Sequence, residues 1–268
     1  MKFLEQCFQY FLVVELIKVG CCGWAVRGGK EAYFRVFKLI ELQSTFYKLP
    51  RVSTAENWRN IAPPDFEFTL KAWQVITHPP SSPTWRRAGI KPEPGREDRY
   101  GFLRPTEENF EAWSRTLEIC RVLRAKVCVV QTPPSFGFSE ENVRNVRDFF
   151  GSIDRGGMDI AWEPRGTWND HLDVVKELCD SLNLIHAVDI FRRSPVSSHP
   201  TCYIRLHGIG RGEVNYKYKY TDDDLRVLLG KVSDLLSSGY REVYVLFNNV
   251  YMADDALRFQ RLVESELS

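Results

Sequence analysis

Val127-Cys-Val-Val-Gln131 is followed, after a stretch long enough for a helix, by Asp159-Ile-Ala-Trp-Glu163. Both runs are apolar through the middle and close on a polar residue. Neither alternates apolar with polar positions, and short unbroken apolar runs fit parallel strands covered on both faces. Working outward, six more segments read the same way: Ile17–Gly20, Leu39–Gln43, Glu67–Lys71, Ile185–Asp189, Tyr203–His207 and Glu242–Asn248. Between most of them apolar residues recur at helical spacing, as in Phe110, Trp113, Leu117 and Cys120, or Leu172, Val175, Leu178, Cys179 and Leu182. Leu225, Leu228, Leu229, Val232, Leu235 and Leu236 form a third such face, with Thr221 as its cap and Gly239 as its stop. Ser53-Thr-Ala-Glu56 reads as a capping box.

Strands alternating with helices imply a parallel sheet, and eight such units imply closure into a (β/α)8 TIM-barrel-like α/β fold. The rival is an open doubly wound sheet, but neither GxGxxG nor GxxxxGK[ST] follows the first strand. One unit departs from the pattern. Only Ile190–Thr201 separates strands six and seven, and Pro195 and Pro200 there predict a loop in place of a helix. Residues 17–268 read as a single barrel domain and residues 1–16 as an N-terminal extension. The apolar run Phe8–Leu16 in that extension is broken by Gln9 and Glu15 and is too short to span a bilayer, so no membrane partner is expected.

Composition excludes little. The chain has 268 residues, 44% hydrophobic and 26% charged, with a formal net charge of +1, so bulk charge gives no drive toward nucleic acid. Seven cysteines, odd in number and without a CxxC pair, predict neither a disulfide framework nor a structural zinc. A reducing cytoplasm is the expected setting. The irregular segment His78–Pro105 contains Pro79, Pro80, Pro83, Pro92 and Pro94, with Gly89 and Gly95 as further breakers, among Arg86, Arg87, Lys91, Arg96, Arg99 and Arg104; it reads either as a lid or ligand-gripping loop or as a solvated insertion.

In a βα barrel the loops after the strands build the site. Reading those ends in order gives Trp24, then Glu41 with Ser44 and Tyr47, then Lys71 with His78, then Gln131. Glu163, Arg165 and Trp168 follow, then Asp189, then Arg205 and His207, and finally Asn248 and Asn249. Charged groups inside apolar strands are costly unless paired. A salt-bridge layer plugging the barrel explains any one of Lys71, Glu163 and Arg205; repetition at so many strand ends points instead to side chains meeting around one ligand pocket. Glu163 is the first choice for general acid or base, with Asp189 and His207 as the other proton-moving candidates. Lys71, Arg165 and Arg205 supply charge for an anion, the asparagines and Gln131 supply hydrogen bonds, and Trp24, Tyr47 and Trp168 supply flat faces. A divalent ion held by Glu41, Glu163, Asp189 and His207 is conceivable but disfavoured by the neighbouring cations, and no nucleotide-cofactor motif is present. Tyr216-Lys-Tyr-Lys-Tyr220, with Tyr218 at its centre, alternates rings and charges as a nucleotide or nucleic-acid contact would.

Taken in series, Gly20-Cys-Cys-Gly-Trp24, Glu41-Leu-Gln-Ser-Thr-Phe-Tyr47, Lys71-Ala with Thr77-His78, Gln131-Thr-Pro-Pro-Ser-Phe136 and Glu163-Pro-Arg165 with Trp168 resemble the YecE-like family, domain of unknown function 72. Asp189, Tyr203-Ile-Arg-Leu-His-Gly208, Tyr216–Tyr220 and Phe247-Asn-Asn249 continue the resemblance over about residues 17 to 264. It implies a TIM-barrel fold and brings no established activity with it. Gln43 stands where the family usually has Asn, and Pro164 precedes Arg165 where an aromatic residue is common. The expectation is an enzyme using acid–base chemistry on a phosphorylated or otherwise anionic sugar- or nucleotide-like substrate. The alternatives are a non-catalytic nucleotide or nucleic-acid module and a metal-assisted phosphoester hydrolase.

Overall fold

The computed structural model describes residues 16–266. Its strands are β1 (Ile17–Cys21), β2 (Leu39–Leu42), β3 (Glu67–Lys71), β4 (Val127–Gln131), β5 (Asp159–Glu163), β6 (Ile185–His186), β7 (Thr201–Leu206) and β8 (Glu242–Phe247). They run in the order β6-β5-β4-β3-β2-β1-β8-β7, a nearly closed barrel of parallel strands with helices between them. The α-helices are α1 (Gly29–Phe34), α2 (Ser44–Tyr47), α3 (Val52–Ile61), α4 (Glu107–Leu123), α5 (Glu140–Ser152), α6 (Leu172–Ser181), α7 (Asp222–Ser237) and α8 (Met252–Glu266). The predicted extension lies almost wholly outside the described residues. No helix among those described is long and apolar enough to cross a membrane.

The chain falls into two compact units. The first holds the residues up to Glu41, Val188–Pro195 and the residues from His199 on; the second holds Leu42–Ala187 with Val196–Ser198. In the first unit β1 pairs with β2 and β8, and β8 pairs with β7. All six residues of β7 are buried, as a strand covered on both faces requires. Beyond β6 a single parallel bridge joins Val188 to Ile204. The α7 cap is the one expected: Thr221 accepts from the Asp224 amide, and Asp224 reaches back to the Thr221 amide, a full capping box.

In the second unit β4 pairs with β3 and, along its whole length, with β5. The sixth predicted strand is curtailed to two residues because the 190–200 connection takes over its hydrogen bonds. Ser197 Oγ accepts from the His186 amide at 3.0 Å, and the Val196 amide donates to His186 Nδ1 at 3.2 Å. That connection holds no helix, as its prolines predict. The capping box at Ser53 does not form. Arg51, in extended conformation, takes the N-cap position without a side-chain bond, and α3 starts at Val52, so Ser53 already lies within the first turn. α4 ends differently, on Arg124 in the left-handed conformation at φ 53°, its amide donating to the Arg121 carbonyl. The six cysteines among the described residues are buried and form no disulfide with one another.

Candidate functional site

In the second unit, the ends of β3, β4 and β5 bring together residues far apart in sequence. Lys71 closes β3, Gln131 closes β4 and Glu163 closes β5. Lys71 Nζ donates to Gln131 Oε1 at 2.8 Å and sits 3.9 Å from the centre of the Phe46 ring, a cation–π contact. Thr45 fixes the strand end beneath it, its hydroxyl reaching the carbonyls of Leu42 and Lys71 at 2.6 and 2.7 Å. Glu163 does not stand alone in apolar surroundings as its strand suggests. Its Oε1 accepts from Arg165 Nε at 2.8 Å and also from Arg165 Nη2. Both side chains are largely buried but not sealed, at 7% and 10% exposure.

His78 completes the group. Its Nδ1 bonds the Thr77 hydroxyl at 2.8 Å, and its ring meets Phe46 edge-on at 4.9 Å. Burial first, then the charges of Lys71 and Arg165, push the imidazole down to about 3 from its usual 6.5. His78 is therefore neutral at physiological pH and stands in a positive potential.

The segment after His78 is neither a loose lid nor a solvated insertion. Trp85, Ala88, Tyr100 and Leu103 are buried, and Trp85 Nε1 donates to the His78 carbonyl at 2.7 Å. Gly101, Phe102 and Leu103 are consecutive left-handed residues, with φ of 75°, 54° and 50°. Their amides donate to the carbonyls of Val75, Thr77 and Ile76 at 2.9, 3.1 and 3.0 Å. Asn109, fully buried on α4, clamps the turn by bonding both the amide and the carbonyl of Gly101. Two non-glycine residues held left-handed are strain of the kind that clusters at functional sites. The loop arginines are mostly engaged: Arg96 and Arg99 pair with Glu108, and Arg87 lies 3.5 Å from the Tyr47 ring centre.

In the first unit the strand-end charges form two groups. Arg205 and Glu41 are fully buried and joined fork to fork at 2.8 Å on both oxygens, while Tyr203 donates to Glu41 Oε2 at 3.1 Å. For Arg205 this is a buried salt bridge, with Glu41 as its partner. Asp189 and His207 form the second group. Asp189 Oδ2 accepts from the His207 amide at 3.0 Å, its Oδ1 accepts from the Phe191 amide, and His207 Nδ1 lies 3.8 Å from Oδ2, an ion-pair distance and too long for a hydrogen bond. Arg192, which sequence reading passed over, donates to the Gly208 carbonyl and holds Nε 3.7 Å from Asp189. Tyr220 was likewise missed as a structural post: its buried hydroxyl accepts from the Gly208 amide, and burial with the nearby Asp189 charge pushes it up.

Of the other expected contacts, Trp168 and Asn249 take structural roles. Trp168 is fully buried, donates to the Phe136 carbonyl at 2.7 Å and packs against Phe136 and Trp162, so it has no open face. Asn249 spends its amide on the Tyr218 carbonyl and Asp255, and Asn248 remains half-buried beside it. Trp24 packs edge-on against Tyr33 and Phe34, while Ser44 is exposed at the start of α2. The tyrosine–lysine ladder is no continuous platform. Tyr216 is exposed, Tyr218 donates to Asp224 and is pushed up to about 12 by burial and that carboxylate, and Tyr220 is buried. Among the described residues no three His, Cys, Asp or Glu side chains gather as a metal-binding group.

An eight-stranded parallel barrel with ionisable residues at its strand ends defines the class as TIM-barrel-like. Within that class the chain belongs to the family described as protein of unknown function DUF72, whose model matches residues 18–268. It is 23% identical over 284 residues to the UPF0759 protein YunF of Bacillus subtilis (strain 168), covering 93% of this chain and 94% of that protein. A solved DUF72 family protein of Thermotoga maritima MSB8 is 25% identical with a TM-score of 0.64, covering 93% and 99% of the two chains. One from Enterococcus faecalis V583 is 18% identical with a TM-score of 0.69, covering 92% and 95%.

Proposed function

We propose that this protein is an enzyme acting on a phosphorylated or otherwise anionic sugar- or nucleotide-like substrate by acid–base chemistry, with the β3–β5 strand ends as its binding and reacting centre. The observation that carries this reading is the gathering of Lys71 and Arg165 around His78: burial first, and then these two charges, lower the imidazole, and an anion placed there opposes the contribution of the charges. Lys71 and Arg165 hold the anion, His78 donates or accepts a neutral hydrogen bond, and Glu163 moves the proton. In the other unit, Asp189 and His207 are the remaining proton-moving pair. The nucleic-acid alternative draws no support from the Tyr216–Tyr220 rings, which serve separate partners.

The test is a thermal-shift panel of phosphorylated sugars and nucleotides, followed by incubation with the compound that shifts most. Glu163→Gln is expected to keep that shift and lose turnover by a factor on the order of 100 or more, the usual contribution of a positioned acid or base. Equal loss of binding and turnover removes Glu163 from the role; a panel without any shift removes the anionic-substrate reading.

A further inference from the structure

At the amino ends of the same three strands, the second unit opens a different cleft, of about 810 Å3, whose lining includes Arg59, Asp65, Glu67, Arg124, Lys126 and Gly157. Glu67 begins β3, and Lys126 immediately precedes β4. Arg59, on α3, is steered toward the cleft by the Phe66 carbonyl at 2.8 Å and by the Phe68 ring, 5.0 Å from its guanidinium carbon. None of its hydrogen-bond partners is an anion; they are the carbonyls of Phe66, Ala62 and Pro63. Arg124 and Lys126 are exposed, and among the described residues neither side chain has a hydrogen bond or ion pair. Burial and the charge of Arg124 both lower Arg59, so the two guanidinium groups repel across the cleft. The two carboxylates in the lining, Asp65 and Glu67, are each engaged with another group.

Two backbone features belong to the same place. Arg124 occupies a left-handed position where glycine is the default residue, so the helix end gains nothing from having an arginine there. Gly157, at φ 80°, has open space where a side chain would stand, and its amide donates to no acceptor among the described residues. A neighbouring cleft of about 250 Å3 shares Arg124, Ala125, Gly156 and Met158; there Arg121 is paired with Asp154, and Arg155 donates to the Leu182 and Asn183 carbonyls.

We propose that this cleft is a second anion site, separate from the strand-end centre, that takes an oligophosphate: two or more linked phosphoryl groups carried by a small molecule. Its size falls within the range of small-molecule sites. Three cations spread along it suit a chain of phosphoryl groups better than a single ion: guanidinium forks grip oxygens in pairs, and the ammonium and the free amide add single donors. A dedicated phosphate loop is not needed, because the cations come from the ends of α3 and α4 and the start of β4.

Titration calorimetry of the full chain with pyrophosphate and tripolyphosphate at low salt tests it. Tripolyphosphate is expected to bind more tightly than pyrophosphate, and binding is expected to weaken about tenfold in Arg124→Gly and similarly in Lys126→Gln. Arg124→Gly unfolds at the same temperature as the parent or higher, because glycine suits that φ, so loss of binding there cannot be loss of fold. Arg165→Gln, at the opposite ends of these strands, leaves tripolyphosphate binding within about twofold. The proposal is overturned if the parent binds neither compound, if Arg124→Gly binds as the parent does, or if Arg165→Gln alone abolishes binding. The last outcome would place the anion at the strand-end centre and leave the proposed function standing.

Discussion

Glu41, inside one parallel strand, and Glu163, closing another, each meet an arginine, yet the two pairs are built for different ends. Glu41 and Arg205 are wholly buried, matched oxygen for nitrogen, with a tyrosine hydroxyl on one carboxylate oxygen. Glu163 accepts from an arginine two residues on, keeps slight exposure, and shares its surroundings with Lys71 and a neutral His78. A pair whose charges are matched and sealed contributes rigidity and has nothing left for a solute. A pair that keeps some exposure, near a histidine lowered by burial and then by cations, is poised to respond to an added charge. The residue types are the same in the two cases, but Glu41 and Arg205 both lie within strands while Glu163 closes its strand and Arg165 follows in the loop; position, access and charge balance separate plug from site.

The largest expected effect breaks the sealed pair. Arg205→Met leaves Glu41 buried without its partner and is expected to cost about 3–5 kcal/mol in urea unfolding. Arg165→Met, at the more open pair, is expected to cost about half as much, because water can reach the remaining carboxylate. Glu41→Gln combined with Arg205→Met is expected to recover part of the loss, since the uncompensated charge is then gone. Equal losses for Arg205→Met and Arg165→Met would erase the distinction between the two pairs.

The next effect sharpens the comparison through pH. His78 titrates at about 3 in the folded protein against 6.5 ordinarily. Between those values the unfolded chain binds a proton that the native state does not, so stability falls as pH falls through that window and is unaffected by His78 above it. The full contribution is up to roughly 5 kcal/mol, of which about 3 kcal/mol is expressed by pH 4, read as the difference between the parent and His78→Gln unfolded in parallel from pH 7 to pH 4. Inorganic phosphate bound at the strand ends is expected to raise the His78 value in an NMR titration. A resonance titrating near 6.5 in the free protein would mean the positive potential is absent, and with it the reason to regard this centre as an anion site.

Much of this was legible because a strand end is a local signal. Lys71, Gln131 and Glu163 each close an apolar run, and all three close strands in the structure. The period-two placement of Tyr203 and Arg205 on one face was also available. Their partner was not, because Glu41 lies 164 residues from Arg205 and no spacing rule connects them. Trp168 was misread because a tryptophan after a strand fits a substrate face as well as a core. Only the Phe136 carbonyl, 32 residues away, settles which. Asn109 did carry a signal that went unused: one amide on the buried face that also holds Trp113 and Thr116 has to bond something. Its partner, the left-handed turn at Gly101, could not be read from proline and glycine counts that announce only irregular chain.

That turn gives the smallest of the expected effects and the one that ties the loop to the open pair. A β-carbon on Gly101 would stand 2.5 Å from the carbon and oxygen of the His78 carbonyl and 2.7 Å from the Pro79 nitrogen. None of these is the flexible end of a side chain, so the backbone at His78 must move. Gly101→Ala is therefore expected to cost roughly 2 kcal/mol, combining an unfavourable left-handed alanine with that displacement. The more telling readout is His78 itself. If the turn holds the imidazole against Lys71, Arg165 and Phe46, loosening it should let the ring find water and carry its titration upward toward 6.5. The Glu41–Arg205 pair is expected to be unaffected, since every contact the substitution disturbs lies in the other unit. A Gly101→Ala protein that loses stability while His78 still titrates near 3 would show that the turn supports the fold alone, and that the histidine is held by its strand end without help from the loop.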